Sequence, residues 1–130
     1  MPEKIAFRGM YPADAEKLEM KQYTTLVKAR ERRTIKRNGL DYRNLLTKVE
    51  EYKKSGKAKA VRTHIREAVI IPSWIGVKFE VHNGKEFQPV QIMANMLGHR
   101  LGEFAFSTKR VLHSAPGIRA TRGSKFLAVK

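Results

Sequence analysis

The chain has 130 residues, of which 42% are apolar and none is cysteine, so it suits one small folded domain without disulfides or thiolate metal sites. Its 27 lysines and arginines against 12 acidic residues give a net charge of +15. That excess predicts a polyanionic partner, with nucleic acid ahead of an anionic membrane surface. No segment reaches the roughly 18 uncharged apolar residues of a membrane-spanning helix, and residues 1–4 do not begin a signal peptide. We therefore expect a soluble, intracellular protein.

The charge is distributed unevenly along the chain. Residues 21–66 carry a net charge of +11 and residues 104–130 carry +6, whereas residues 1–20 and 67–103 each sum to −1. A surface that serves only solubility mixes its signs. The distribution predicts a small folded body that is held to a polyanion by two cationic flanks.

The N-terminal half is predicted to be helical. Residues 12–20 read as a short acidic helix, and residues 23–37 as a longer helix with a cationic face. Gly39 breaks this pattern, and Asp41 is placed to cap another helix whose apolar residues recur at helical spacing until Gly56.

The period changes from helix to strand after a basic loop over residues 57–62. Residues 68–71 form a short β-type run, and residues 77–82 alternate between apolar and polar side chains, as a strand with one wet face does. Asn83-Gly84 predicts a hairpin turn, because both residues tolerate positive φ. Residues 87–92 supply the returning strand.

The remaining elements complete an α+β prediction. Pro89 places its strand at a sheet edge or a bulge, and residues 93–104 put their methionine, leucine and phenylalanine side chains on one face of a predicted helix. From Ser107 onward apolar periodicity disappears, which predicts an extended basic arm. The expected fold is a small antiparallel sheet with a β-hairpin packed by helices.

Catalytic and metal-binding motifs are missing from the sequence. Its histidines form no HExxH motif, and neither a Gly-x-Ser-x-Gly elbow nor a Walker-type glycine loop occurs. His99 and Glu103 are four apart and could share a helix face, but a metal site needs a third ligand that no neighbouring residue supplies. We expect no enzymatic activity, no metal and no cofactor.

Clusters of basic residues are the positive signal. Arg32-Arg33 and Lys36-Arg37 place four bases within six residues without an acid among them, and like charges three and four apart destabilise a helix unless phosphate compensates them. The alternative is a solvated helix face. The candidate RNA-binding residues share a basic side chain: Arg32, Arg33, Lys36, Arg37, Lys53, Lys54, Lys57, Lys59, Arg62, His64, Arg66, Lys85, His99, Arg100, Lys109, Arg110, His113, Arg119, Arg122 and Lys125.

A combination of short motifs carries a family resemblance. They are Asn83-Gly84-Lys85, Ile92, Leu97-Gly98 and Leu101-Gly102-Glu103-Phe104 closing at Ser107, then Lys109-Arg110-Val111, His113-Ser114-Ala115-Pro116-Gly117 and Ala120-Thr121-Arg122. This combination closely resembles the small-subunit ribosomal protein nineteen family, in the long form of archaeal and eukaryotic members. Two positions depart from the family pattern: Phe106 stands where proline is usual, and Arg119 where a small residue is usual.

The resemblance implies a structural constituent of the head of the small ribosomal subunit. It implies binding to the 3′ domain of small-subunit ribosomal RNA (rRNA), support of subunit assembly, and packing beside small-subunit ribosomal protein thirteen. The implied division is an N-terminal, partly helical extension (1–32), an rRNA-binding α+β core (33–106) and a basic extended C-terminal tail (107–130). The tail would reach toward the decoding region and the transfer RNA in the A site.

A free-standing nucleic-acid-binding regulator is the alternative. Residues 32–41 and the helix that follows could form a helix-turn-helix, but base readout requires suitable side chains on the first turns of the second helix. Only Arg43 and Asn44 stand there.

Overall fold

The computed structural model describes residues 4–37, 39–56 and 59–109, together with residues 111, 117 and 123. Four α-helices come first, followed by three strands and three short 3-10 helices. They are α1 (Pro12–Glu16), α2 (Met20–Leu26), α3 (Ala29–Lys36), α4 (Leu40–Ser55), β1 (Val61–Thr63), β2 (Lys78–His82) and β3 (Phe87–Gln91), with 3-10 helices at Pro72–Trp74, Ala94–Met96 and Leu101–Phe104. The predicted α+β class is confirmed. Most of the predicted tail lies outside the described residues.

The predicted helix over residues 23–37 is wrong in its continuity. Val27 and Lys28 adopt extended backbone, with ψ of 160° and 156°, and so separate α2 from α3. Val27 is buried at 4% exposure, so the break between the two helices lies against the core.

The capping prediction for α4 is wrong at one end and confirmed at the other. Gly39 occupies the N-cap without a side-chain cap, and Asp41 lies inside the first turn, where a carboxylate still complements the helix dipole. Gly56 ends the helix in the left-handed conformation with φ of 57°, which glycine adopts without steric cost.

The sheet has the order β1-β2-β3 and is mixed. β2 and β3 form the predicted antiparallel hairpin, whereas β1 runs parallel to β2, so the sheet is not wholly antiparallel. A parallel neighbour requires a crossover, and the buried residues 68–71 lie within it. They were predicted to be a strand, but they make one isolated bridge, Val69 with Arg100, instead of joining the sheet. Pro89 lies on the edge strand β3, as predicted.

Asn83 and Gly84, the two residues that predicted the hairpin turn, adopt different backbone conformations. Gly84 has φ of 104°, whereas Asn83 is not in the positive-φ region. The Asn83 side-chain oxygen instead accepts hydrogen bonds from the backbone N–H groups of Lys85 and Glu86, both at 2.9 Å. The predicted turn is confirmed, with an Asx-type bond in place of a second left-handed residue.

The predicted helix over residues 93–104 is wrong. Two 3-10 helices occupy this segment, and Gly98 lies between them with φ of 80°. The backbone there pairs with the buried run, since the Ile70 N–H donates to the His99 carbonyl at 2.9 Å. Leu97 and Leu101 are buried as expected, but Met93 is 54% exposed.

The Tyr23 hydroxyl ties the N-terminal helices to the rest of the core. It donates a hydrogen bond to the Ile70 carbonyl at 2.5 Å and accepts one from the Gly98 N–H at 3.0 Å. The side chain is fully buried, and this burial raises the pKa of Tyr23 well above its ordinary range. One side chain of α2 therefore satisfies backbone groups from two later segments.

Tyr42, on α4, is also buried, but its hydroxyl makes no comparable hydrogen bonds among the described residues. Its ring packs 6.1 Å from the ring of Trp74, and its hydroxyl has no hydrogen-bond partner among the described residues. Burial raises the pKa of Tyr42 to about 12.

The two buried tyrosines predict opposite effects of the same substitution. Tyr23→Phe should lower the free energy of unfolding by about 1–3 kcal/mol, because it leaves a buried carbonyl and N–H unpaired. Tyr42→Phe should raise it by about 1 kcal/mol, because it removes a buried hydroxyl that has no partner. Urea unfolding of both variants measures the two changes, and changes of equal sign would contradict this assignment.

High pH should separate the wild type from Tyr42→Phe. The pKa of Tyr42 rises from 10.0 to about 12 on folding, so between these values the unfolded chain has lost a proton that the folded chain retains. Below pH 10 the hydroxyl is neutral in both states, so it adds no pH dependence, whereas between pH 10 and about 12 ionisation of the unfolded chain lowers the free energy of unfolding. The wild type should therefore lose more stability than Tyr42→Phe over this window, as measured by urea unfolding at each pH. Parallel losses would contradict the prediction.

Candidate nucleic-acid interface

An open cleft of about 1420 Å³ lies between the C-terminal half of α4 and one end of the sheet. Leu45 and Val49 of α4 face the core, and Lys48 and Lys54 of the same helix line the cleft. The charged residues that line this basic cleft are five cations and two carboxylates: Lys48, Lys54, Lys59, Arg62, Lys78, Glu51 and Glu80. A concave surface with a positive excess attracts phosphate groups.

Arg62 is partly neutralised within the cleft. Alternation along β1 buries its two neighbours and leaves Arg62 exposed. Its Nε lies 2.5 Å from Glu80 Oε2 on the adjacent strand, and the arginine side chain keeps 70% of its surface exposed. Such an exposed pair contributes little to stability, so a phosphate can compete with Glu80 for the guanidinium.

A second cationic surface lies at the end of α3. Arg33, Lys36 and Arg37 are exposed there, and we call them the α3 cations. Positive charge in the last turn of a helix interacts favourably with the helix dipole, and this interaction offsets part of the repulsion between the like charges. These three side chains are placed where a phosphate backbone can reach them.

Arg32 belongs to the same sequence cluster but serves the fold. Its guanidinium donates to the carbonyls of Thr24 at 2.8 Å, Thr25 at 3.0 Å and Val27 at 3.2 Å. These are carbonyls at the C-terminal end of α2, which a helix leaves unsatisfied. Arg32 therefore holds α2 against α3.

Arg66 plays a similar part in the centre of the fold. It donates to the carbonyls of His82 at 2.8 Å, Gly102 at 2.9 Å and Ala105 at 2.5 Å. Gly102 permits this approach, because a Cβ at that position would lie 2.9 Å from the Cβ of Arg66. Arg100 contacts α3 through Thr34 at 3.4 Å and through Glu31 at 3.8 Å.

The other candidate residues are spread over several surfaces. The Lys53 ammonium donates to the Ser73 carbonyl, and His99 lies 2.7 Å from Glu103 in a 3-10 helix. Lys53 and His99 are exposed, and the other exposed candidates outside the α3 cations are Lys54, Lys59, Arg62, His64, Lys85 and Lys109. Those outside the described residues are Lys57, Arg110, His113, Arg119, Arg122 and Lys125.

Two lysines of the basic cleft were missing from the sequence-based candidates. Lys78 begins β2 on its outward side, and Lys48 lies on the polar side of α4. Both could have been found by extending each element's polar face, since the strand alternation and the helix period already separated inward from outward residues.

Within the described part of the chain, no group of three or more histidine, aspartate or glutamate residues is placed to hold a metal. No described helix is both long and apolar enough to cross a membrane.

Comparison with known proteins identifies the family. The family model of ribosomal protein S19 matches residues 32–113. The chain belongs to this family. The small ribosomal subunit protein uS19 of Methanocella arvoryzae is 44% identical over 129 residues, which cover 98% of this chain and 89% of the relative. That of Saccharolobus solfataricus is 43% identical over 130 residues, with 98% and 93% covered.

Membership confirms the resemblance and its coarse consequences. The chain is a small-subunit ribosomal protein with a structural, rRNA-binding role, and it is not an enzyme. The family match begins at residue 32, whereas the two archaeal relatives cover nearly the whole chain. Helices α1 and α2 therefore precede the residues that the family model matches. Tyr23 of α2 nevertheless bonds to Ile70 and Gly98, which lie within the matched residues.

The arginines of this ribosomal protein should separate into two experimental classes. Arg66→Ala should lower the free energy of unfolding by about 1–3 kcal/mol, because three carbonyls lose their donor. Arg37→Ala should change it by less than about 0.5 kcal/mol, while lowering the slope of log affinity for rRNA against log salt by about 0.9, the value of one phosphate contact. Thermal unfolding and binding to an rRNA 3′-domain fragment at several salt concentrations measure both. An equally stable Arg66→Ala would contradict the division.

Proposed function

We propose that this chain binds the 3′ domain of small-subunit rRNA in the head of the cytoplasmic ribosome and supports assembly of that subunit. Identity of 43–44% with two archaeal small-subunit proteins over nearly its whole length carries the proposal. The exposed α3 cations and the basic cleft support it, because they offer phosphate two surfaces with a positive excess. Packing beside small-subunit ribosomal protein thirteen belongs to the same proposal.

The proposed division of labour follows the charge. The body, residues 33–106, binds rRNA, the extension at 1–32 supports it, and the basic tail at 107–130 reaches toward the decoding region and the A-site transfer RNA. The sequence after Glu103 contains six bases and no acid, which suits contact with RNA along its length. The exposed candidate residues of the body and the candidate residues of the tail are proposed as the contacts, whereas Arg66 is occupied by backbone carbonyls.

A free-standing regulator receives less support. Arg43 and Asn44 are exposed on the first turns of α4, as base readout would require. The family match covers the end of α3 from residue 32 and all of α4, and a ribosomal protein accounts for the two cationic flanks without invoking sequence-specific readout.

Deleting residues 107–130 should impair translation more than assembly. The buried core of the described residues ends at Ala105, so the melting temperature of the truncated protein should stay close to that of the full chain. Complementation with the truncated chain, followed by sucrose gradients and a translation assay, measures the two functions separately.

Normal gradients with slow translation are the expected result. One control accompanies that experiment. Ribonuclease treatment should release both chains from the small-subunit fraction, which tests rRNA dependence. A truncated chain that melts much earlier, or that is absent from small subunits while the full chain is present, would contradict the assignment of the tail to translation.

A further inference from the structure

Three rings form a cluster on the outer face of the sheet. The ring centroids of His64 and His82 are 4.6 Å apart, and Phe87 lies 5.1 Å from His64 and 4.9 Å from His82. His64 is exposed, and the other two residues are partly exposed. We call these three residues the ring cluster. They belong neither to a metal-binding group among the described residues nor to the buried core.

Strand register brings the three rings together. Thr63 pairs with Val81 in the parallel ladder, so His64 follows β1 beside His82. His82 pairs with Phe87 in the antiparallel ladder. Side chains alternate between the two faces of a sheet, and the partners Thr63 and Val81 are buried on the opposite face. The cluster is therefore a consequence of the fold and is fixed to its most regular part.

The rings are held in position before any ligand arrives. His82 Nδ1 accepts a hydrogen bond from the Gly84 N–H at 3.0 Å, and the carbonyl of His82 accepts one from Arg66 at 2.8 Å. Phe87 meets both histidine rings edge-on, at interplanar angles of 72° and 75°. A pre-ordered aromatic surface loses little conformational entropy when a flat ligand stacks on it.

Two cations lie beside the cluster, together with Glu80 and with Glu86, which is exposed in the hairpin loop. The Arg62 guanidinium lies 5.3 Å from the Phe87 ring centroid and is largely exposed. Lys85 is exposed in the adjoining hairpin loop. Glu80 faces Arg62 and is the carboxylate that a phosphate would have to displace. Rings bordered by arginine and lysine are the usual platform for unpaired nucleotides, since a base stacks on the ring while the cations hold its backbone.

We propose that the ring cluster is a stacking site for an unpaired nucleotide of RNA, with Arg62 contacting its phosphate. The inference rests on the proposed rRNA-binding function and adds a mode of recognition to it. Phosphate contacts through lysine and arginine bind paired and unpaired RNA alike, whereas a stacking site requires a base that has left its helix. The ring cluster would thus select the position at which the body sits on rRNA.

The experiment uses the full chain and two RNA hairpins with the same stem. One hairpin carries a single bulged 2-aminopurine, and the other is fully paired. Phe87→Ala and His64→Ala should each weaken binding to the bulged hairpin by about 5- to 100-fold, the range for loss of one stacked base. Their affinity for the paired hairpin should change by less than about twofold. Quenching of 2-aminopurine fluorescence should accompany binding of the wild type and diminish in both variants.

Two further variants serve as controls. Phe106 is 71% exposed and outside the cluster, so Phe106→Ala should leave both affinities unchanged. Phe87→Tyr retains the ring and should bind the bulged hairpin as the wild type does. His64→Ala removes a side chain that lies after β1 and is exposed, so it tests the site even where Phe87→Ala disturbs the hairpin.

The outcomes separate the inference from the proposed function. Equal affinity of the wild type for the two hairpins, or equal weakening of both by His64→Ala, would overturn the stacking site and leave rRNA binding standing. Failure of the wild type to bind either hairpin at low salt would contradict the proposed function itself.

Discussion

The structure depends on one buried hydroxyl group. Tyr23 lies on a short N-terminal helix, and its hydroxyl satisfies the Ile70 carbonyl and the Gly98 N–H, which belong to two segments far along the chain. Neither segment forms a regular strand or α-helix, so their backbone groups need partners from elsewhere. A buried group left unpaired costs more than an ordinary hydrogen bond contributes. The N-terminal helices thus supply a hydrogen-bonding group that the buried backbone of the core needs, although the match to the family begins only at residue 32.

The second constraint is the excess of positive charge, which the fold divides between two tasks. Arg32 and Arg66 each donate to three backbone carbonyls, where a planar guanidinium supplies several donors in fixed directions. The α3 cations and the lysines of the basic cleft stay exposed instead. Charge counted along the sequence treats these groups alike. Only the partners of each side chain separate an arginine that holds loops together from one placed to meet phosphate.

Local patterns predicted the parts of the fold that local interactions decide. The hairpin, the left-handed Gly56 and the edge position of Pro89 follow from strand alternation, glycine and proline, and all three were predicted correctly. The helix predicted over residues 93–104 was wrong, because its apolar spacing also suits two turns packed against residues 68–71, with Gly98 between them. The parallel pairing of β1 with β2 could not be predicted from local sequence patterns either, since it depends on the path of the crossover and not on the sequence of either strand. Long-range hydrogen bonds also determine that Arg66, which was predicted to bind RNA, donates to carbonyls of the protein instead.

The sheet register links the core to the proposed RNA contacts. Because side chains alternate along a strand, the pairing that buries Val61, Phe79 and Val90 also fixes which residues face outward. A slip of one residue would turn Arg62 and His82 inward and bring buried valines to the surface. The hydrophobic effect acting on the inner face therefore orients the cations and rings of the outer face without any interaction between them. The register that buries the apolar face therefore also sets the positions of the residues proposed to contact RNA, and a slip of one residue would disrupt both faces.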